Sequence, residues 1–251
     1  MNMESRFFSV YFSGKQFEPF SSVHLISLSV LLIACILLYV LSNKIKSLKI
    51  DKPLRDALAY ILIATELSFQ IWCSVGGIWT PKYNLPFHLC SAATIICIVM
   101  LLKKSYKIFE LAYYWGLAGA GFALITPDLS GYNYPHYVFF KYFILHSFII
   151  ISILYMAFIY DYVLSFKTVL RAFIATNLFA IVVIPINILT GGNYLFLCRK
   201  PDVFTLLDYF GSWPRYIIPM EIIVIIMFYV LYIPFALKKH INKSNNIDMK
   251  D

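Results

Sequence analysis

Apolar runs close to 20 residues long recur along the chain, each closed by a short polar or basic link. They fall at about 23–42, 55–75, 86–102, 109–126, 138–160, 169–189 and 216–237. A helix needs about 20 apolar residues to cross about 30 Å of hydrocarbon, so the pattern predicts seven membrane-spanning helices. The links leave no room for a second domain. The expected fold class is all-α: a polytopic membrane protein built as a seven-transmembrane-helix bundle over 23–237. An aromatic, interfacial N-terminal segment (1–22) precedes it, and a basic tail (238–251) follows.

Composition supports this picture. The chain is 61% hydrophobic and only 14% charged, whereas a soluble domain carries roughly a quarter charged residues. One core cannot hide so much apolar surface from water. The basic residues set the orientation. Lys44, Lys46, Lys49, Lys52 and Arg55 fill the link 43–56, and Lys103, Lys104 and Lys107 the link 103–108. Lys167, Arg171 and the tail lysines Lys238, Lys239, Lys243 and Lys250 lie on the same side. The opposite side holds Arg6, Lys15, Lys82, Arg199, Lys200 and Arg215. The richer side is expected to be cytoplasmic, with the N-terminus outside and the C-terminus inside. Anionic lipid at the cytoplasmic surface accounts for the net charge of +8, so no nucleic-acid partner is implied. The first span lacks a preceding basic segment and is followed by a basic stop-transfer cluster, so it is read as a span and not as a cleaved signal peptide.

Five cysteines show neither a CxxC nor a disulfide framework. No metal site and no cofactor is expected. Cys35, Cys73 and Cys97 read as small packing residues.

The costly side chains are few. Glu66 and Gln70, four apart, share a helix face in span two. His88 and Cys90 open span three, His146 lies in span five, Asn177 and Asn187 in span six, and Glu221 in span seven. At about 1.5 Å per residue, Cys90, His146, Glu221, Glu66 and Gln70 lie roughly 6 to 14 Å below the outer ends of their spans. Asn187 lies nearer the surface. Grouping at one depth suggests a polar cavity opening outward. Singly, an Asn or Gln in a span is often a helix–helix hydrogen bond; two glutamates and a histidine together are harder to explain as glue.

Pro86 in "NLPFHLC" fits the first turn of a helix, which puts Cys90 near the positive end of the helix dipole, where a thiol ionises more readily. His88 points about 200° away around such a helix. A histidine from another span is the better partner, and His146 is the candidate. A Cys–His pair is the minimum equipment for covalent acyl transfer. Elsewhere, "GLAGAG" reads as a small-residue face for close helix packing. Asp128 is an outer-loop residue more suited to water than to orienting a histidine.

"LPFHLC", "YYWGLAGAGFALITPDL", "YPHYVFFKYFILHS", "GGNYLF" and "SWPRYI" occur in an order that resembles the YwaF-like family of bacterial integral membrane proteins, over about residues 55–235. That family is remotely similar to eukaryotic transmembrane protein 164, a cysteine-centred acyltransferase acting on ether lysophospholipids. The resemblance implies that Cys90 and His146 are the catalytic pair.

Three functions fit these observations, the third being a non-catalytic partner of another membrane complex. The first is a multi-pass cell-membrane enzyme, a phospholipid acyltransferase or transacylase. In it a thioester on Cys90 carries the acyl chain from phospholipid to lysophospholipid or another acceptor, and His146 is the general base. His88, Gln70, Glu66, Glu221 and Asn187 are the candidate supporting or binding residues, with either glutamate available to hold His146. The second is a small-molecule or proton-coupled transporter or receptor using the same polar groups. Span seven has no lysine for a retinal Schiff base.

Overall fold

The computed structural model describes residues 7–48, 50–201 and 206–248. Arg6, Lys49 and Lys250 of the charge pattern lie outside them, as does the side chain of Lys243. Among the described residues there is no strand, and seven helices have 15 residues or more: α1 Ser22–Ser47, α2 Asp51–Val75, α3 Leu89–Lys103, α4 Tyr106–Ile125, α5 Tyr137–Ile159, α6 Phe166–Thr190 and α7 Ile217–Asp248. Six are long and apolar enough to cross a membrane, and α3, with 15 residues, is shorter. The apolar pattern thus located every helix to within a few residues at most ends.

Where the ends differ, local chemistry explains it. Pro86, expected in the first turn of α3, lies in the loop before it. Asn84 closes a turn by accepting from the Thr80 amide (2.9 Å), and the Phe87 N–H donates to the Leu85 carbonyl (2.9 Å). Pro86 therefore sits at the centre of a three-residue turn, which its fixed φ suits. His88 is the extended residue before α3 and Cys90 its second residue. At the other extreme, α7 continues through Lys238 and Lys239 into the expected tail. Arg55, expected in a link, lies in the second turn of α2 and is buried.

Residues 1–162 form one compact unit and 163–251 another. In the first, α5 is central and packs against α1, α2, α3 and α4, while α4 also packs against α3. The GLAGAG face makes these approaches possible. A Cβ on Gly116 would collide with Ile153 of α5, and one on Gly119 would lie 3.6 Å from the Cys90 amide nitrogen. Outward-facing Leu32, Ile33, Ile36 and Leu37 leave α1 apolar on its exposed side.

The N-terminal segment folds back over one end of this unit. Trp72 Nε1 donates to the Phe8 carbonyl (2.8 Å), the Tyr132 hydroxyl to Val10 (2.7 Å) and His136 Nε2 to Ser9 (2.8 Å). Phe17 packs on His24, Phe139 and Phe143. Fully buried His24 accepts from the Phe20 amide at Nδ1 and donates from Nε2 to the Leu124 carbonyl, both at 2.8 Å. At the opposite end, Arg55 donates to Asp51 (3.2 Å) and to the Leu101 carbonyl in the last turn of α3. Tyr155 and Tyr160 donate to the same Asp51 carboxylate at 3.0 and 2.5 Å.

The second unit contains α6, α7 and the chain between them. Asn187 clamps "GGNYLF" to α6: its Oδ1 accepts from the Tyr194 N–H (2.7 Å) and its Nδ2 donates to the Tyr194 carbonyl (3.0 Å). Gly191, at φ 66°, supplies the left-handed residue that ends α6.

Candidate functional site

The chemistry-bearing groups of the first unit are carried by α2, α3 and α5, which pack on one another. Cys90 enters from the first turn of α3, where backbone amides have no intrahelical acceptor. The sulfur is reached by the amides of Cys90 and Ser91 and by the Ser91 side chain. Gly119 of α4 lets this turn come close, since a larger side chain there would press on the Cys90 backbone.

His146 is buried on α5. Its Nδ1 donates to the Tyr142 carbonyl (2.7 Å), so the lone pair of the neutral ring resides on Nε2. The His146 tautomer is thus held by a backbone carbonyl and not by a carboxylate. The Tyr142 ring lies 4.3 Å from the His146 ring, and its hydroxyl donates to the Ala123 carbonyl (2.7 Å). That hydroxyl is also within electrostatic range of Cys90. Tyr142 is thus in ring contact with His146 and within electrostatic range of Cys90.

Glu66 and Gln70 do share a face of α2. Gln70 Nε2 donates to Glu66 Oε1 (3.0 Å) and to the Asn84 carbonyl (3.1 Å), while its Oε1 accepts from Trp79 Nε1 (2.7 Å). Gln70 thereby ties the loop before α3 to α2. Glu66 Oε2 lies 3.8 Å from Lys141 Nζ of α5 and makes no hydrogen bond. Lys141 also sits over the Phe69 ring at 3.9 Å.

The remaining expected residues are engaged with partners of their own. In the second unit, Glu221 accepts from Asn177 Nδ2 (3.0 Å), a helix–helix hydrogen bond between α6 and α7. Asn187 holds a loop. Asp128 accepts from the Ser130 amide (2.8 Å) within its own loop. Two shallow grooves lie along the N-terminal segment, one including Lys15 and Asn133, the other Phe12 and Tyr132; neither touches Cys90 or His146.

Sequence reasoning passed over three residues here. Lys141 lies inside the fifth apolar run and was given no role, although a cation there is signal enough by itself. His24 is a second histidine within a span. Tyr142 lies one turn before His146, on the same helix face, among many tyrosines.

Helices of this length and apolarity, with polar side chains turned inward, define a multi-pass α-helical membrane protein. The model of the TMEM164 family matches residues 19–232, and the chain belongs to that family. No curated protein and no solved structure matches it.

Proposed function

We propose that the protein is a cysteine-dependent phospholipid acyltransferase of the cell membrane, a YwaF-like member of its family. It spans the bilayer seven times with the N-terminus outside. In this arrangement α3, about 22 Å long, starts below the outer surface. The non-helical residues before it are tolerated because protein surrounds them.

The observation that carries the proposal is the pairing around Tyr142. A histidine with Nε2 as its basic nitrogen is in ring contact with this side chain, and the thiol in the first turn of α3 lies within electrostatic range of it. His146 Nε2 takes the thiol proton as the sulfur attacks an ester carbonyl carbon of a phospholipid. Amides in the first turn of α3 stabilise the resulting oxyanion. Collapse breaks the ester C–O bond, and His146 returns the proton to the departing glycerol oxygen. The acyl chain is left as a thioester on Cys90. An acceptor hydroxyl then gives its proton to His146 and takes the acyl chain, and the proton passes back to sulfur.

Intact-protein mass after incubation with phosphatidylcholine liposomes tests this. The protein is expected to gain one acyl mass, Cys90→Ala none, and His146→Gln to form the adduct about a hundredfold more slowly or worse. Full acyl transfer by Cys90→Ala refutes the mechanism. The Lys141–Glu66 pair favours the alternative, a proton- or solute-coupled transporter; flux in proteoliposomes that needs Glu66 and ignores Cys90→Ala would establish it.

A further inference from the structure

Lys141 is placed at a cost that its protein partners only partly offset. It lies about 6 Å along the axis from the start of α5, with its side chain 14% exposed. An ammonium has three donors and no acceptor. Lys141 has the Phe69 ring beneath it and the Glu66 carboxylate at 3.8 Å, a separation too long for a hydrogen bond. Among the described residues it makes no hydrogen bond at all. Two other lysines of the same unit are hydrogen-bonded to carboxylates: Lys46 reaches both oxygens of Asp161 at 2.9 and 2.8 Å, and Lys52 reaches Asp56 at 2.6 Å. Glu66 mirrors the deficit, with Oε1 held by Gln70 and Oε2 without a hydrogen bond. Cation and carboxylate are held near each other but not joined. Both Cys90 and His146 lie within electrostatic range of Lys141.

We propose that Lys141 anchors the phosphate of the lipid on which Cys90 acts, with Glu66 as the counter-ion that keeps the place until the phosphate arrives. This rests on the acyltransferase reading and names the part of the substrate that it leaves open. Lysine suits the task as a point charge with rotatable donors. A phosphate at Lys141 leaves the glycerol ester, a few bonds away, beside the sulfur. The ion pair has a second consequence: the bound phosphate competes with Glu66 for the same ammonium, so removing the carboxylate charge strengthens lipid binding.

Binding to Cys90→Ala protein in detergent tests this apart from catalysis, using lysophosphatidylcholine and the monoacylglycerol of the same chain. The phospholipid is expected to bind about tenfold to a hundredfold tighter, as one charge-assisted hydrogen bond would give. Lys141→Gln should remove that preference, Lys141→Arg should keep most of it, and Glu66→Gln should tighten only the phospholipid. Equal binding of the two lipids overturns the proposal, as does equal weakening of both by Lys141→Gln or weaker phospholipid binding by Glu66→Gln. Inorganic phosphate that binds at Lys141 with no preference for the lysophospholipid would make this a free-phosphate site and overturn the lipid assignment. Should thioester formation fail while the phosphate preference persists, the acyltransferase reading falls and the anion site stands.

Discussion

Three glycines of α4 have unlike surroundings, so one substitution made three times yields opposite outcomes. A Cβ on Gly116 would overlap Ile153 Cδ1 and lie 2.9 Å from Ile149 Cγ2. Both isoleucines are fully buried; Ile153 Cδ1 can turn about χ2 only into an occupied core, and the χ1 that fixes Ile149 Cγ2 is stiff in a β-branched residue on a helix. On Gly119 the nearest atoms are 3.6 to 3.7 Å away, and around Gly121 there is nothing within 4 Å. Alanine in place of glycine gains about 1 kcal/mol inside a helix, whereas overpacking a closed site costs about 1–3 kcal/mol. Gly116→Ala is therefore neutral to destabilising by about 2 kcal/mol, while Gly119→Ala and Gly121→Ala stabilise by up to about 1 kcal/mol. Thermal unfolding in detergent reads the difference at about 2–4 °C per kcal/mol for a chain of this size. Gly119→Val adds methyls against the Cys90 backbone and is expected to lower acylation of Cys90 more than it lowers the melting temperature. Equal shifts for the three alanine variants, or a stabilised Gly116→Ala, would refute the close-packing assignment.

Arg55→Ala removes the donor to Leu101 and the partner of Asp51. Breaking a buried pair costs about 3–5 kcal/mol, and because Asp51 is partly exposed the expected loss in unfolding free energy is nearer 2–3 kcal/mol. Arg55→Lys should recover only part of it. Asn187→Ala removes the side-chain acceptor of the Tyr194 N–H and one of the donors to its carbonyl at a fully buried residue. The expected cost is about 2–4 kcal/mol, seen as faster proteolysis within 191–200. His136 has Nδ1 accepting from the Val138 amide and Nε2 donating to Ser9, so it is neutral as bound. Burial lowers its pKa, against the opposing pull of the Ser9 carbonyl. Its contribution is therefore complete above the unfolded value of about 6.5 and lost as pH falls from there through the folded value. Hydrogen-exchange protection of residues 7–16 should drop over that range, and His136→Gln should flatten the dependence.

The spans were legible because crossing a bilayer imposes length and apolarity together, and both are local. What local pattern could not supply was the state of each polar group. Arg55 looked like one more charge in a basic link; only the arrival of Leu101 and Tyr155 from other helices makes it a buried partner. Pro86 looked like a helix start until Asn84 closed the turn before it. Asn187 and Glu66 are equally conspicuous in sequence, yet one is fully engaged with Tyr194 and the other is half engaged. Cys90 at a helix N-terminus was readable from "LPFHLC". The carbonyl that orients His146 was not, because every helical residue offers one and the sequence does not say which is used.

A bilayer makes unsatisfied polar atoms expensive, which turns satisfaction itself into a criterion for function. His24 and His136 engage both ring nitrogens, Asn187 uses both ends of its amide, and Arg55 closes a network with two tyrosines. These groups hold helices and the N-terminal segment together and have little capacity left for a substrate. Among the described residues Ser21 Oγ and Thr80 Oγ1 lack partners, and so do three ionisable groups in part: Lys141 without a side-chain hydrogen bond, Glu66 Oε2 without a donor, and His146 with only Nδ1 engaged. The ionisable three lie on α2 and α5, the helices that pack against α3, which carries Cys90 in its first turn. Folding alone gives no reason to keep three incompletely paired groups there, since apolar replacements would be cheaper. A ligand that supplies the missing partners does give one, and it must carry an anionic group for Lys141 and a reactive carbon for Cys90. An ester lipid with a phosphate headgroup meets both demands in one molecule. If apolar replacements of Lys141 and Glu66 together left lipid binding and acyl transfer intact while raising stability, this inference from incomplete pairing to function would fail.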